Sequence, residues 1–255
     1  MSLDPTDPRS PSKQIAADLR DQIASGALPP DAKLPSEREL SERFHVAPQT
    51  VRQAVALLKN EGLVVGQAGR GVFVRSREPL IRLGTDRFSR AHRTAGKSAQ
   101  QAEAEGIGRT FRQEILELAE VPAPAHIAEH LGVCEGEPVF KRSRREYVGD
   151  EPNQVAVSYY RPEVVAGTAI TQVNTGPGGS YARLEEAGHT LIEFYEEFTA
   201  RMPTPDELRL LRLPAGTPVV NVLRVAHDAK GPVEVFESVV NSRMIVFTNR
   251  FAAPD

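Results

Sequence analysis

The stretch "HVAPQTVRQAVALLKNEGLVV", His45 to Val65, predicts a short helix with a defined start and end. Its apolar residues fall at i, i+3, i+4 and i+7 and form one stripe, made of Val51, Ala54, Val55 and Leu58. Pro48 stands at the start, with Ala47 as a weak cap. Proline is tolerated there because the first backbone N–H groups of a helix have no partner inside it. Gly62 predicts the end.

The flanking segments predict two more helices and a hairpin. Upstream, Ile15, Leu19 and Ile23 recur every four residues. Ser36 and Glu39 then have the spacing of a capping box, so a second helix is expected to open there. Downstream, "LVVGQAGRGVFV" alternates around glycines, as two short strands with a tight tip do. Three helices followed by a hairpin predict a winged helix-turn-helix.

Polar side chains occupy the outward face of the helix that begins at Pro48. Arginine pairs with guanine edges and glutamine with adenine edges, and the N-terminal part of such a helix enters the major groove of DNA. The alternative is a solvated polar helix end; the preceding capped helix and the glycine-rich wing favour DNA. The predicted contacts are Ser36, Arg38, Gln49, Thr50, Arg52, Gln53, Gln67, Gly69 and Arg70.

The predicted wing and the local excess of basic residues also favour DNA binding. Gly69 and Gly71 flank Arg70, and an arginine on such a tip can enter a narrow minor groove, although a solvated arginine on a tight hairpin is the alternative. From Lys33 to Arg75 seven basic residues outnumber four acidic ones, whereas the whole chain carries a net charge of −3. A local basic surface is therefore expected on a chain with no bulk affinity for polyanions.

Composition excludes several classes of protein. The single cysteine, Cys134, allows neither an intrachain disulfide nor a zinc cluster of thiolates. No apolar run approaches the ~20 residues of a membrane span, and the N-terminus has no apolar signal segment. We therefore expect a cytoplasmic protein with no membrane contact, no cofactor and no metal.

The remainder of the chain predicts a second domain of α+β class with a mostly antiparallel sheet. Strand-like runs cover Pro138–Val148, Gln154–Tyr160, Pro218–Ala226 and Val233–Val240, and helical patterns cover His126–Leu131, Tyr181–Ala187 and Pro205–Leu211. The predicted division is a DNA-binding domain over residues 1–76, a linker over 77–86 and a second domain over 87–255.

"LPSERELSERFHVAPQTVRQAVALLKNEGLV" followed by "GRGVFV" resembles the GntR family of bacterial transcription regulators over nearly the whole of its signature. The family's recognition helix often begins Ser-Arg, whereas Ala47 and Pro48 stand here. His45 stands where glycine is common, which predicts a positive φ. The sequence from about Pro122 to Val235, including "GEPVFKRSRR" and "GPGGSYARLEEAGH", is similar to the HutC branch of the GntR family. The second domain of that branch is the UTRA ligand-sensing domain, with a chorismate-lyase-like fold.

The resemblance implies a small effector and a homodimer, because family members bind metabolites that carry phosphate or carboxylate and usually form dimers. It implies effector contacts at Arg144, Ser158 and Glu234. Arg142 joins them because it shares a strand face with Arg144. Two positions depart from the family pattern, since Glu146 replaces a second arginine and Val240 replaces a tyrosine.

Two alternative hypotheses make the protein an enzyme instead of a DNA-binding regulator. "HIAEH" fits the inverted zincin pattern, in which His126 and His130 would share zinc and Glu129 would act as base. An enzyme built on the chorismate-lyase-like domain is the other alternative. The "GPGGS" segment lacks the Lys-Ser/Thr ending of a phosphate-binding P-loop and is interpreted as a helix cap. The favoured hypothesis is a DNA-binding repressor of transcription. It binds an inverted repeat as a homodimer and responds to a small polar or anionic effector.

Overall fold

The computed structural model describes residues 3–67, 69–75, 80–214 and 216–249. These residues fall into two compact units. One lies within Met1–Glu78 together with Pro214–Thr217, and the other within Pro79–Leu213 and Pro218–Asp255.

The first unit contains three helices and a two-stranded hairpin. The helices are α1 (Pro11–Ala24), α2 (Glu37–Phe44) and α3 (Pro48–Asn60), and the hairpin strands are β1 (Val64–Gln67) and β2 (Gly71–Val74). The predicted winged helix-turn-helix is confirmed. Its core joins one face of each helix to the hairpin, through Ile15, Leu19, Leu40, Phe44, Val51, Ala54, Leu58, Val64 and Val74.

Local chemistry fixes where α2 and α3 begin and how they are joined. The Ser36 hydroxyl accepts from the Glu39 backbone N–H at 3.2 Å, and the Glu39 carboxylate accepts from the Ser36 backbone N–H at 2.7 Å, so the capping box is confirmed. His45 caps the C-terminus of α2 at φ 53°, a left-handed conformation that ends the helix and confirms the predicted positive φ. Pro48 then occupies the first turn of α3 after the extended Ala47.

The second unit is built on a six-stranded antiparallel sheet in the order β4-β5-β6-β9-β8-β7. These strands are β4 (Phe111–Pro122), β5 (Pro138–Val148), β6 (Glu151–Tyr160), β7 (Glu193–Arg201), β8 (Val219–Asp228) and β9 (Gly231–Asn241). A separate parallel pair joins β3 (Leu80–Leu83) to β10 (Ile245–Thr248). The helices are α4 (Arg90–Thr94), α5 (Ala99–Gly106), α6 (Ala125–Leu131), α7 (Pro162–Val165), α8 (Gly179–Glu186) and α9 (Pro205–Leu210). The predicted α+β class is confirmed.

The strands missed by the sequence analysis lie at the sheet edges and near the predicted linker. The edge strands β4 and β7 are rich in charged residues, which protect exposed sheet edges but hide the alternation that marks a strand. Residues 80–83 form β3 and are therefore not linker, because they pair in register with β10. Residues 77–79 lie outside the described residues. The domain boundaries otherwise stay a prediction.

The capping box gives a first prediction. Ser36→Ala removes the acceptor for the Glu39 backbone N–H at the start of α2, and loss of such a cap costs about 0.5–2 kcal/mol. We expect the free energy of unfolding to fall by that amount in urea denaturation followed by circular dichroism. Gln53→Ala, which truncates an exposed side chain on α3, is the control and should change stability by less than about 0.5 kcal/mol. Equal effects of the two substitutions would contradict the capping role.

Candidate functional site

The residues predicted to contact DNA lie on the surface of the first unit. Eight of the nine are exposed, and Thr50 is half-buried on the first turn of α3. A cleft of about 580 Å³ lies between α2, α3 and the hairpin. Ser36, Arg52, Gly69 and Arg70 line it, whereas Arg38, Gln49, Thr50, Gln53 and Gln67 are not among its lining residues.

The cleft contains two lysines that the sequence analysis did not assign to DNA, Lys33 and Lys59. Lys33 bridges to Phe73 of β2, so the strand-like segment before α2 is tied to the wing. A Cβ atom added at Gly71, where φ is 119°, would come within 2.8 Å of the Lys33 Cε atom. Glycine at this position therefore lets the lysine stem lie close against the wing. Lys59 lies seven residues after Arg52 on the exposed face of α3, so helical periodicity could have revealed it, whereas Lys33 precedes α2 and carries no such signal.

The arginines of this surface have only weak partners. Arg52 Nε lies 3.9 Å from Glu37, and Arg38 Nε lies 3.4 Å from Glu42. All four side chains are more than half exposed, and such surface pairs contribute about 0–1 kcal/mol. The Arg70 guanidinium lies over the Phe73 ring at 5.6 Å, which directs it along the wing. These guanidinium groups can exchange their present partners for phosphate or base oxygens at little cost.

A cavity of about 480 Å³ in the second unit brings together residues from several strands and loops. Arg142, Arg144 and Glu146 of β5 line it, and so do Glu234 and Phe236 of β9. The loop 174–181 and the start of α8 form another wall. Gly178 is the N-cap residue of α8, so the "GPGGS" segment is a helix cap, as predicted, that also borders the cavity.

Arg144 is the central cation of this cavity. Its Nε donates to Glu146 Oε1 at 2.8 Å, and its Nη1 donates to Ser158 Oγ at 3.1 Å. Its guanidinium also lies 5.4 Å from the centre of the Phe236 ring. Ser158 is fully buried and does not line the cavity, so it holds Arg144 in place rather than facing the cavity directly.

Arg142 has a different set of partners from Arg144. Its two terminal nitrogens donate to the backbone carbonyls of Ile170, Gln172 and Val173 over 2.5–3.0 Å. Burial, together with the neighbouring Arg144, lowers the pKa of Arg142. Arg142 lines the cavity, as its predicted role as an effector contact requires, but its guanidinium is bound to the carbonyls of a loop. Its contact with an effector stays a prediction.

Glu234 lines the cavity, and only one of its two carboxylate oxygens has a hydrogen-bond partner within the part of the chain that the structure describes. Tyr160 donates its hydroxyl to Glu234 Oε1 at 2.6 Å, whereas Oε2 is buried without a hydrogen-bond partner among the described residues. Burial, followed by the Glu234 charge, raises the pKa of Tyr160 well above its usual value. Tyr160 therefore stays a neutral donor.

Two further cavity arginines, Arg87 and Arg224, were not among the predicted effector contacts, although Arg224 lies on a strand that the sequence predicted. Both are buried. Arg224 Nε donates to Glu196 at 2.8 Å, and its Nη1 donates to the Tyr181 hydroxyl at 3.3 Å. Arg87 has ion pairs to Glu103 at 3.2 Å and to Glu196 at 3.9 Å. None of its nitrogens makes a hydrogen bond within the described part of the chain.

Burial lowers the pKa of Arg87 to about 9, and the nearby Arg82 and Arg224 act in the same direction. The Arg87 cation is thus short of compensating charge. An anion in the cavity would supply what the protein itself does not.

A chain of buried side chains connects Arg144 to β3. Gln154 donates to Glu146 Oε2 at 2.5 Å and accepts from Arg82 Nη2 at 3.0 Å. Arg82 also lies 3.7 Å from Glu103, the partner of Arg87. The cavity and the first strand of the second unit therefore share one network of charges.

Two protein families match the chain. The model of bacterial regulatory proteins of the gntR family matches residues 11–74, and the UTRA domain model matches residues 106–245. The chain belongs to the GntR family. An uncharacterized HTH-type transcriptional regulator of Streptomyces coelicolor is 34% identical over 97% of this chain and 95% of its own length. The histidine utilization repressor of Pseudomonas aeruginosa is 30% identical over 80% of this chain and 76% of its own.

A solved structure, that of PhnF from Mycobacterium smegmatis, supports the fold. It superposes with a TM-score of 0.61 at 23% identity and covers 94% of this chain and all of its own. The GntR and UTRA matches make this protein a DNA-binding transcription regulator with an effector-binding domain. No helix within the described residues is long and apolar enough to cross a membrane.

The two departures from the family pattern have structural consequences in this GntR-family chain. Glu146 lies beside Arg144 and pairs with it, so the position of the missing arginine holds a counter-charge. Val240 is buried in a separate apolar cluster with Ala104 and Val222. Neither residue offers a cation or hydroxyl to the cavity.

The residues of the zincin-like pattern have other surroundings. His126 Nε2 lies 3.1 Å from Glu237 Oε1 across the sheet. Within the part of the chain that the structure describes, no three His, Cys, Asp or Glu side chains are placed to share a metal ion. Ile127 and Leu131 of the same helix are fully buried, as an ordinary core-facing helix requires.

The loop-holding role of Arg142 is testable by a matched pair of substitutions. Arg142→Met leaves the carbonyls of Ile170, Gln172 and Val173 without their donor. The hydrogen bond to Ile170 is buried, and a buried acceptor left unpaired costs about 1–3 kcal/mol. We expect a loss of at least about 2 kcal/mol in urea unfolding. Lys141→Met removes only a partly exposed ion pair to Glu117, so a change below about 1 kcal/mol is expected. Similar losses for both variants would show that Arg142 does not hold the loop.

Proposed function

We propose that this GntR-family regulator represses transcription by binding an operator through the cleft of its first unit. The observation that carries the proposal is the convergence of Ser36, Arg52 and Arg70 on one cleft between α2, α3 and the wing. Support also comes from a relative named as a repressor, the histidine utilization repressor.

The docking follows from the exposed groups. The start of α3, with Gln49, Arg52 and Gln53, enters the major groove, where arginine and glutamine read guanine and adenine. Arg70 at the wing tip lies along the neighbouring minor groove. Lys33 and Lys59 contact phosphates between them, which positions the helix without reading sequence.

The protein acts as a homodimer on an inverted repeat. One helix and one wing cover too few base pairs for selectivity, and twofold symmetric proteins match palindromic half-sites. The dimer is assembled through the second unit. Because the partner is chromosomal DNA, the place of action is the cytoplasm.

The second unit senses a small effector in the cavity beside Arg144 and does not catalyse a reaction on it. Ser158 orients Arg144, and Arg144 and Glu234 offer a cation and an acceptor. The effector changes operator affinity only through different affinities for the two arrangements of the dimer, a coupling of about 1–3 kcal/mol. By linkage, operator DNA weakens effector binding by the same factor.

The DNA contacts give a prediction with two distinct outcomes. Arg52→Ala should cost about 1–3 kcal/mol of discrimination at one base pair of the operator. Arg70→Ala should weaken binding evenly across sequences and reduce the salt slope by about one. The measurement is a fluorescence anisotropy titration of the full chain on a fragment of its own promoter and on single-base variants of it.

Arg9→Ala is the control, since Arg9 pairs with Asp7 near the N-terminus and lies outside the cleft. It should leave affinity and salt slope unchanged. Unchanged operator affinity in both Arg52→Ala and Arg70→Ala would rule out this docking.

The dimer proposal predicts a twofold footprint. Sedimentation equilibrium at micromolar concentration should give twice the chain mass. Hydroxyl-radical footprinting should protect two half-sites about one helical turn, roughly 10 base pairs, or a multiple of it apart. A monomer in solution and on DNA would defeat this part of the proposal.

A further inference from the structure

Unsatisfied groups of both polarities face the cavity of the second unit. Arg224 Nη2 and the three nitrogens of Arg87 lack hydrogen-bond acceptors, and Glu234 Oε2 lacks a donor, in the described part of the chain. All three residues are more than nine-tenths buried and line the same cavity. Buried polar groups are normally hydrogen-bonded, so a group left open at a cavity points to a missing partner.

Three other arginines of the cavity have hydrogen-bond partners, and Arg112, which also lines it, is exposed and lies over the Tyr147 ring. Arg142 is bound to three carbonyls, and Arg144 is bound to Glu146 and Ser158. Arg93 donates to Glu185 and to the Phe88 carbonyl. Among the described buried charged groups that line the cavity, the open donors are therefore on Arg87 and Arg224, and the open acceptor is on Glu234.

These open groups are close together. Arg224 on β8 pairs in register with Phe236 on β9, and Glu234 lies two residues further along the same face of β9. Such diagonal neighbours have Cα atoms about 7–8 Å apart. Tyr181 contacts both residues. Its hydroxyl accepts from Arg224 Nη1 at 3.3 Å, and after burial and the Glu234 charge an interaction of that hydroxyl with the Glu234 carboxylate helps to raise the pKa of Tyr181. Glu234 Oε2 still lacks a donor in good hydrogen-bond geometry among the described residues. A ligand that contacts both Arg224 and Glu234 must therefore carry its anionic group and its donor group only a few bonds apart.

We propose that the effector is a compact zwitterion, whose anionic group binds Arg87 and Arg224 and whose ammonium group binds Glu234. This inference rests on the proposed sensing role of the cavity and narrows the effector from any small anion to compounds that carry both charges. A doubly charged anion fits poorly, because the four glutamates in and around the cavity balance four of its five buried arginines and leave one positive charge without a counter-charge. The glutamates are Glu103, Glu146, Glu196 and Glu234, and the arginines are Arg82, Arg87, Arg142, Arg144 and Arg224. An anion without a donor leaves Glu234 Oε2 buried and unpaired.

Aromatic side chains supply the rest of the selectivity. Phe88, Phe111, Tyr181 and Phe236 line the cavity. Phe88 stacks on Phe194 at 4.1 Å, which fixes the wall next to Arg224. An apolar substituent beside the paired charges is therefore accommodated.

The test uses matched probes on the full chain. One series is L-phenylalanine, 3-phenylpropanoate, which lacks the ammonium group, and 2-phenylethylamine, which lacks the carboxylate. A second series is O-phosphoethanolamine, ethyl phosphate and ethylamine, which separates phosphate from carboxylate as the anionic group. A panel of other common α-amino acids with their deaminated and decarboxylated analogues extends the first series. Binding is measured by isothermal titration calorimetry and by thermal unfolding.

We expect zwitterions of at least one series to bind about ten- to a hundredfold more tightly than either singly charged analogue, as the loss of one charged hydrogen bond implies. Glu234→Gln keeps an acceptor for Tyr160 and should reduce the zwitterion to the affinity of its deaminated analogue. Arg87→Gln should reduce it to that of the amine. Glu117→Gln and Arg209→Gln, both remote from the cavity, are the controls and should have no effect.

The wild-type probe series decides the proposal even where a variant fails to fold. Equal binding of an anion and its zwitterion, with no effect of Glu234→Gln, would overturn the zwitterion while leaving an effector site in place. If no probe of any series binds, the zwitterion proposal falls. DNA binding by the same preparation then shows whether the regulator function itself stands.

Discussion

Burial of charge is the constraint on which the second unit depends. Arginine side chains taken out of water are tolerated only when counter-charges and hydrogen bonds compensate for lost hydration. Here buried arginines alternate with glutamates from α5 and three strands, so the sheet, α5 and the segment around Arg87 are held in register by electrostatics as well as by apolar packing. The members of this network are Arg82, Arg87, Arg144, Arg224, Glu103, Glu146, Glu196 and Glu234. Removal of one member leaves its partner as an unpaired charge in a low-dielectric site, so the members of the network depend on one another.

The same constraint couples the cavity to the start of the second unit. Arg144 lines the cavity, and Arg82 lies on β3, the first described strand after residues 76–79. Glu146 and Gln154 connect them through buried hydrogen bonds. A change in charge at the cavity therefore alters the electrostatic balance at β3 without any need for a long mechanical path. Glu146, a departure from the family pattern, is the residue that makes this connection.

The DNA-facing surface of the first unit uses charge in the opposite way. Arg38 and Arg52 are exposed, have distant partners and remain hydrated. Hydrated surface pairs stabilise the fold little, so these side chains are available to a polyanion. Their position comes instead from an apolar core and from backbone devices such as the Ser36 capping box and the left-handed His45. Weakly paired cations held on a rigid surface suit a DNA-binding unit, whereas strongly paired buried cations suit an effector-binding unit.

The sequence by itself determined the winged helix-turn-helix, because its signals are local. The stripe from Val51 to Leu58, the Ser36–Glu39 cap, Pro48 and the glycines of the wing each act within a few residues. It also determined the strands that carry Arg144 and Glu234, since both residues fall within predicted strand-like runs. Only the tertiary structure decided which charged groups meet. Arg87, Arg224 and Tyr181 are far apart in sequence and come from a turn before α4, from β8 and from α8, yet they line one cavity. Whether an arginine such as Arg142 faces a ligand or a loop depends on carbonyls about thirty residues away, and no spacing along one strand encodes that.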